Sequence, residues 1–174
     1  MSMKPQLVSS KTIYDGKIIK LQVDDVRLED GRICKREVAR HAAAVCVLAY
    51  DEKYGYLVSQ YRHPIGQYII EAVAGLCEEG EDPRLAAKRE LNEETDALCE
   101  ELEDLGVFYP SPGFTDEVIY LYAAEITGFA KGTPDDDEHI TVKRYPLGDL
   151  YRMALEGEIT DGKTVTVILK YFAN

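Results

Sequence analysis

The sequence predicts a mixed α/β (α+β) fold: a block of strands, one helix, further strands and two terminal helices. Three observations predict it. Alternating apolar segments flank two Asp-Gly pairs near the N-terminus; a continuous run of small apolar residues follows at 42–49; and the apolar spacing turns helical only after Asp82 and again near the C-terminus. At 174 residues, 45% of them hydrophobic and 30% charged, the chain is long enough for a substantial core.

Each element follows from local pattern. Asp15-Gly16 and Asp30-Gly31 are favoured two-residue hairpin turns, so residues 11–41 are expected to form an antiparallel β-meander. The run at 42–49 reads as a strand buried on both faces. Residues 56–61 and 67–73 read as two more strands, the second entering Gly75. Asp82-Pro83 is a helix start, because Asp caps well and Pro is tolerated at the first helical position. Beyond that helix, 105–109, 118–126 and 140–145 read as strands, while 147–155 and 164–172 have helical apolar spacing. No repeat, low-complexity tract or linker divides the chain.

Composition narrows the function classes. A formal net charge of −12 argues against nucleic-acid backbone or anionic lipid as partner. No apolar run approaches the roughly 20 residues that span a bilayer. The opening MSMKPQLVSS lacks the apolar core of a secretory signal, so a cytoplasmic location is expected. Cys34, Cys46, Cys77 and Cys99 show no CxxC or metal-site spacing and read as reduced thiols. An acidic chain can accept a phosphate substrate only where metal ions or a few placed arginines reverse the local sign.

The helix after Asp82 carries the strongest chemical signal. At about 100° per residue, Glu90, Glu93 and Glu94 share an arc of roughly 100°, with Ala86 and Ala87 one turn earlier on the same arc. Arg84, Lys88, Asn92 and Thr95 are expected on the opposite, solvent side. A Glu-rich helix is most often a solvated face whose acids pair with residues such as Arg84, Lys88 and Arg89. Inward-facing carboxylates instead repel by about 0.2–0.5 kcal/mol per pair even when exposed, and a hard divalent cation removes that cost.

The string Gly75–Ala97 resembles the Nudix box, G-x5-E-x7-R-E-U-x-E-E-x-G-U with U aliphatic. Gly75, Glu81, Arg89, Glu90, Leu91, Glu93 and Glu94 match at the required spacings, and Asp96 stands where the last Gly belongs. That Gly would serve as a left-handed helix C-cap, a conformation Asp visits more readily than most residues. The resemblance covers roughly residues 10–170. It extends to the ADP-ribose pyrophosphatase branch through Lys35-Arg36-Glu37, Gln60-Tyr61-Arg62, Glu71-Ala72-Val73-Ala74-Gly75 and Ser111-Pro112-Gly113-Phe114-Thr115-Asp116-Glu117, with Pro112 at the branch's characteristic position beyond the box.

The resemblance implies an α/β/α sandwich around a mixed sheet over residues 42–174, preceded by an N-terminal β-extension at 1–41 that pairs two subunits in a homodimer. By position, Glu90, Glu94, Glu93 and the backbone carbonyl of Ala74 match the family's metal ligands, with Glu93 a further ligand or bridging catalytic acid. Gly75, Glu81 and Arg89 hold the box together. Another acid is expected from a distant loop. A run of four acids such as Asp135-Asp136-Asp137-Glu138 is usually solvated, but the register favours Glu138 as ligand and Asp136 as base. Arg62 matches a phosphate-contacting arginine, Glu117 a substrate-contacting acid, and Phe114 could border the site. Arg36 is a weaker phosphate or interface candidate.

The expected activity is Mg²⁺-dependent hydrolysis of ADP-ribose, or a related nucleoside diphosphate sugar, to AMP and ribose 5-phosphate, with Mn²⁺ a possible substitute. A GDP-sugar or a dinucleotide is the rival substrate. A rival of another class is a non-catalytic ADP-ribose sensor, against which the complete glutamate set and the lack of a basic DNA-reading segment both count.

Overall fold

The computed structural model describes residues 4–133 and 139–174. The acidic loop residues Asp136 and Glu138 lie outside the described residues. By contacts the chain forms two compact units, residues 1–42 with 109–118, and residues 43–108 with 119–174. An extension ending at residue 41 would leave the 109–118 loop with the larger unit, but its contacts put it with the smaller one.

In the smaller unit, β1 (Gln6–Asp15), β2 (Ile19–Arg27) and β3 (Ile33–His41) make an antiparallel meander in the order β1-β2-β3. Neither Asp-Gly pair forms a two-residue turn. Asp15 pairs with Lys20 and Arg27 with Ile33, so longer loops intervene. A two-residue I′ turn needs positive φ at both central residues, and here only Gly31, at φ 83°, adopts it. The 109–118 loop is fastened to β3: Ala39 N–H donates to Phe114 O at 2.8 Å and His41 N–H to Asp116 Oδ1 at 3.0 Å. Arg40 ties Gln22, Asp24 and Asp116 together, at 2.8, 3.1 and 3.1 Å.

The larger unit is built on a mixed sheet. Its strands are β4 (Ala44–Tyr50), β5 (Tyr54–Arg62), β6 (Gln67–Glu71), β7 (Val73–Leu76), β9 (Glu103–Phe108), β10 (Ile119–Glu125) and β12 (Ile140–Pro146). The order is β12-β5-β4-β10-β9, with β6 added to β5 and β7 to β4. β10 runs parallel to β4, and the other pairings are antiparallel. A separate small ribbon joins β8 (Ala97–Leu98) to β11 (Gly128–Phe129). The predicted single strand at 67–73 is thus two strands. The chain leaves β5 at Glu71 and joins β4 at Val73, and the intervening Ala72 N–H donates to a side chain, Thr164 Oγ1, at 2.7 Å.

The sheet separates two apolar layers, and the period of two in β4 and β10 explains why. Cys46, Leu48, Leu121 and Ala123 face α2 (Leu147–Leu155) and α3 (Gly162–Ala173), packing on Leu150, Met153, Val167 and Ile168. Val45, Val47, Ala49, Tyr122 and Ala124 face α1 (Pro83–Thr95), packing on Ala86, Ala87 and Leu91. The result is an α/β/α sandwich. Among the described residues no helix is long and apolar enough to cross a membrane.

Helix α1 starts where Asp82 accepts from Arg84 N–H at 2.7 Å, with Pro83 at the first position. Thr95 is buried rather than solvent-facing, because it continues the Leu91 stripe one turn on and donates its hydroxyl to Leu91 O. The helix ends at Asp96 in the left-handed conformation, φ 58°, with its N–H on Asn92 O. Asp96 Oδ1 also accepts from Gly132 N–H at 2.8 Å, a bond that glycine could not make. Asp96→Ala is expected to destabilise the fold by about 2–3 kcal/mol, summing left-handed strain and one lost hydrogen bond. Asp96→Asn should stay within about 1 kcal/mol of the parent, since Asn keeps both features. Denaturant midpoints measure this, and an alanine variant as stable as the parent would mean the cap contributes nothing.

Candidate active site

The site grows from the contact between α1 and β7. Glu90 is 9% exposed and Glu94 8%, although both are carboxylates. Glu94 Oε2 accepts from Ala74 N–H at 3.3 Å. Glu90 lies directly over Gly75, where a Cβ would stand 2.0 Å from its Cδ and 2.2 and 2.3 Å from its oxygens. Gly75 is therefore glycine because a carboxylate occupies the space a side chain would need.

Arg89 organises the acids beside it. Its Nε and Nη2 grip Glu81 at 3.0 and 2.9 Å, and Nη2 also donates to Leu76 O at 3.0 Å. Nη1 bridges Glu90 Oε1 at 2.6 Å and Glu93 Oε2 at 2.9 Å. The Glu81 hydrogen bond first, and Glu90 and Glu93 after it, hold the guanidinium charged against the effect of burial. Glu81 is held below the usual carboxylate range by Arg89 and by the Glu78 N–H. One guanidinium thus ties the box loop to the acid face of the helix. Arg84 and Lys88 reach other partners, the carbonyls of Leu102 and Glu100.

Three carboxylates, Glu81, Glu90 and Glu93, share this one guanidinium, and their oxygens are hard donors of the kind a divalent cation prefers. Among the described residues no three His, Cys, Asp or Glu side chains are arranged to hold an ion. Arg89 Nη1 stands between Glu90 and Glu93 and supplies positive charge there.

Arg62, at the end of β5, is engaged with Glu71 through Nε at 2.6 Å and Nη2 at 2.8 Å. That bond raises its pKa most, burial opposes, and Asp161 and Glu94 add to the rise, so Arg62 stands within electrostatic reach of Glu94. Glu71 is 1% exposed and also meets Lys163. Neither Glu71 nor Lys163 was assigned a role from sequence. A carboxylate inside the apolar stretch Tyr68–Ala74, and a lysine in the first turn of a helix where the dipole disfavours it, were the available signals.

The remaining sequence candidates belong to the smaller unit. Glu117 is half-buried with Oε1 3.7 Å from His41 Nδ1, Phe114 is 59% exposed, and Arg36 is exposed on β3 with Nη1 on the Lys35 carbonyl at 2.9 Å. Arg40 and Asp116, which hold this loop, were likewise not singled out from sequence. The four cysteines are free.

Replacing Gly75 with Ala should cost about 1–3 kcal/mol by overpacking against Glu90. The cost should largely vanish in a Glu90→Ala background, since the two residues compete for one volume. Thermal unfolding of the four proteins decides it, and additive effects would contradict the contact.

Comparison with known proteins identifies the fold's relatives. The NUDIX domain family model matches residues 39–166, and the nucleoside diphosphate sugar hydrolase N-terminal domain matches residues 6–39. The chain is 42% identical over 166 residues to a methanol dehydrogenase activator of Bacillus methanolicus, covering 92% of this chain and 89% of that one. It is 38% identical over 170 residues to an ADP-ribose pyrophosphatase of Bacillus subtilis (strain 168), covering 96% and 92%. A GDP-mannose pyrophosphatase of Yersinia pestis (strain Pestoides F) is 31% identical over 160 residues, covering 84% and 80%. The crystal structure of an ADP compounds hydrolase superposes with a TM-score of 0.89 over 99% of this chain and 95% of that one; at 19% identity it speaks to the fold. With the box residues assembled on α1 and β7 and the family model spanning most of the chain, this protein belongs to the Nudix hydrolases and is similar to ADP-ribose pyrophosphatases.

Proposed function

We propose that the protein hydrolyses the pyrophosphate bond of ADP-ribose, or of a closely related nucleoside diphosphate sugar, to AMP and ribose 5-phosphate. The observation that carries this reading is the seating of Glu90 and Glu94 against Ala74-Gly75, which gathers the box carboxylates on one buried face. The substrate class is supported by the N-terminal family match at 6–39 and by the ADP-ribose pyrophosphatase relatives. The GDP-mannose pyrophosphatase relatives support a GDP-sugar as the second reading.

In this reading Glu90, Glu93, Glu94 and the Ala74 carbonyl would hold Mg²⁺, or Mn²⁺ in its place, together with Glu138. A cation held there would supply charge to neutralise phosphate oxygens and to make a water easier to deprotonate. Asp136 takes the proton of that water, and Glu93 assists. Arg62 faces the diphosphate, its charge secured by its environment. Glu117, Phe114 and Arg36 contact the substrate. Gly75, Glu81 and Arg89 fix the box geometry, and the protein acts in the cytoplasm.

Turnover against a panel containing ADP-ribose, GDP-mannose, a dinucleotide and nucleoside triphosphates, with Mg²⁺, tests the substrate. ADP-ribose should show the highest kcat/KM and triphosphates should be poor; a clear preference for the GDP-sugar would overturn the assignment. Glu90→Gln and Glu94→Gln should each lower turnover by at least about 10²-fold. Both should fold, and Mg²⁺ should raise the parent's melting temperature more than theirs. Parent-like rates in either variant would remove them from the ligand set, and parent-like rates in both Glu138→Gln and Asp136→Asn would place the base elsewhere. A parent that binds ADP-ribose without turnover would be a sensor.

The N-terminal sheet is assigned to a homodimer contact. Leu7, Ile13, Tyr14, Ile18 and Ile33 are each more than half exposed, at 60, 53, 58, 54 and 55%. So much apolar surface on a small sheet is expected to be covered, and symmetric pairing of identical chains is the common solution. Light scattering should give a dimer at micromolar concentration, and a truncation starting at Ala42 should be monomeric or insoluble. A monomeric full chain would rule this out.

A further inference from the structure

Glu71 closes a buried charge network that joins the C-terminal helix to the candidate site. Its carboxylate accepts the forked Nε and Nη2 of Arg62 at 2.6 and 2.8 Å, and on Oε2 it also takes Lys163 Nζ. Lys163 Nζ lies 3.0 Å from Asp161 Oδ2, the N-cap of α3. Asp161 in turn accepts from Thr164 N–H and Oγ1–H at 3.0 and 2.6 Å, and Thr164 Oγ1 receives the Ala72 N–H at 2.7 Å. The first turn of α3 therefore grips the Glu71-Ala72 crossover by a side chain and by the backbone. Two and three residues beyond Ala72 are Ala74 and Gly75, where Glu94 and Glu90 sit.

The lysine is in a costly place. It occupies the first turn of a helix, where the macrodipole opposes a cation, and its side chain is only 14% exposed. Burial lowers its pKa, and Asp161 and Glu71 more than restore it. Burial likewise pushes Glu71 up, and Arg62 and Lys163 bring it below the usual carboxylate range. A buried ion pair is seldom more stabilising than apolar residues of the same volume; its best-attested use is to specify one arrangement. Arg62 is the part of the network that needs specifying, because its side chain is 40% exposed, whereas the Glu71 carboxylate that it shares with Lys163 is 1% exposed and fixed from both sides.

We propose that Lys163 is a positioning residue: by holding Glu71 it sets the orientation of the Arg62 guanidinium toward the substrate diphosphate. This rests on the assignment of Arg62 to the diphosphate made above. It adds α3 to the elements that build the site, although Lys163 itself touches no substrate.

The test combines kinetics with an observation of Arg62 itself. Lys163→Met should raise KM for ADP-ribose by roughly tenfold while kcat changes less than about threefold, the pattern of lost uniform binding. Lys163→Arg should recover most of the loss. In an Arg62→Ala background Lys163→Met should add nothing further to KM, because the second residue acts only through the first. In 15N spectra, the Arg62 Nε–H, identified by its absence from Arg62→Ala, should exchange slowly with solvent in the parent and rapidly in Lys163→Met. Lys163→Gln replaces the Met variant if that protein does not fold. Equal effects of the lysine change in both backgrounds, or an Arg62 signal unaltered by it, would overturn the proposal. A parent inactive on ADP-ribose would defeat the substrate reading alone, since the Nε–H comparison needs no turnover.

Discussion

The close approach of a carboxylate to a glycine is the constraint on which the larger unit depends. Glu90 can lie over strand β7 only because Gly75 has no side chain. That contact fixes how near α1 stands to the sheet, and with it the positions of Glu94 on the Ala74 N–H and of Ala86, Ala87 and Leu91 in the core. An apolar residue at position 90 would satisfy packing alone. The carboxylate instead brings charge to the one face of the helix that water barely reaches, and Arg89, gripping Glu81 and touching Glu90 and Glu93, keeps that charge tolerable.

The other face of the sheet solves the same electrostatic problem differently. There a single buried carboxylate, Glu71, is flanked by two cations drawn from elements far apart in sequence, β5 and α3. The strand between the two clusters is short: from Glu71 to Gly75 the chain leaves one partner strand, donates a backbone N–H to Thr164, and joins another. Helices on both sides of the sandwich thus hold the same five residues in place. A displacement on either side is transmitted through packed, hydrogen-bonded groups rather than absorbed by a loop.

Much of the site was legible because its signal is local. Glu90, Glu93 and Glu94 share a helix face at any tertiary arrangement, since helical geometry alone puts them there, and Asp82-Pro83 marks the helix start by a side-chain cap and a fixed proline φ. Thr95 was misplaced because the arc of the acids was taken as the whole inner face, whereas the buried residues run on through Ala87, Leu91 and Thr95 and occupy about half the wheel. The two hairpins were legible but their loops were not: Asp-Gly permits a tight turn without requiring one, and the observed pairing leaves longer connections. The strand switch at Ala72 left no trace in the apolar pattern, because residue types along a strand do not record which neighbour it pairs with.

By itself the sequence determined the order of the main elements, the box, and the inward aim of Glu90 and Glu94, because these follow from backbone periodicity and from motif spacing within one stretch of chain. Only the tertiary structure decided why Gly75 must be glycine, why Asp96 serves where a glycine is usual, and that Lys163 meets Arg62 through Glu71. Each of these is a contact between residues brought together by the sheet, between 15 and 101 positions apart in the chain. Distance in sequence hides such contacts, since a pattern of residue types records what a position can do and not which neighbour the fold will give it.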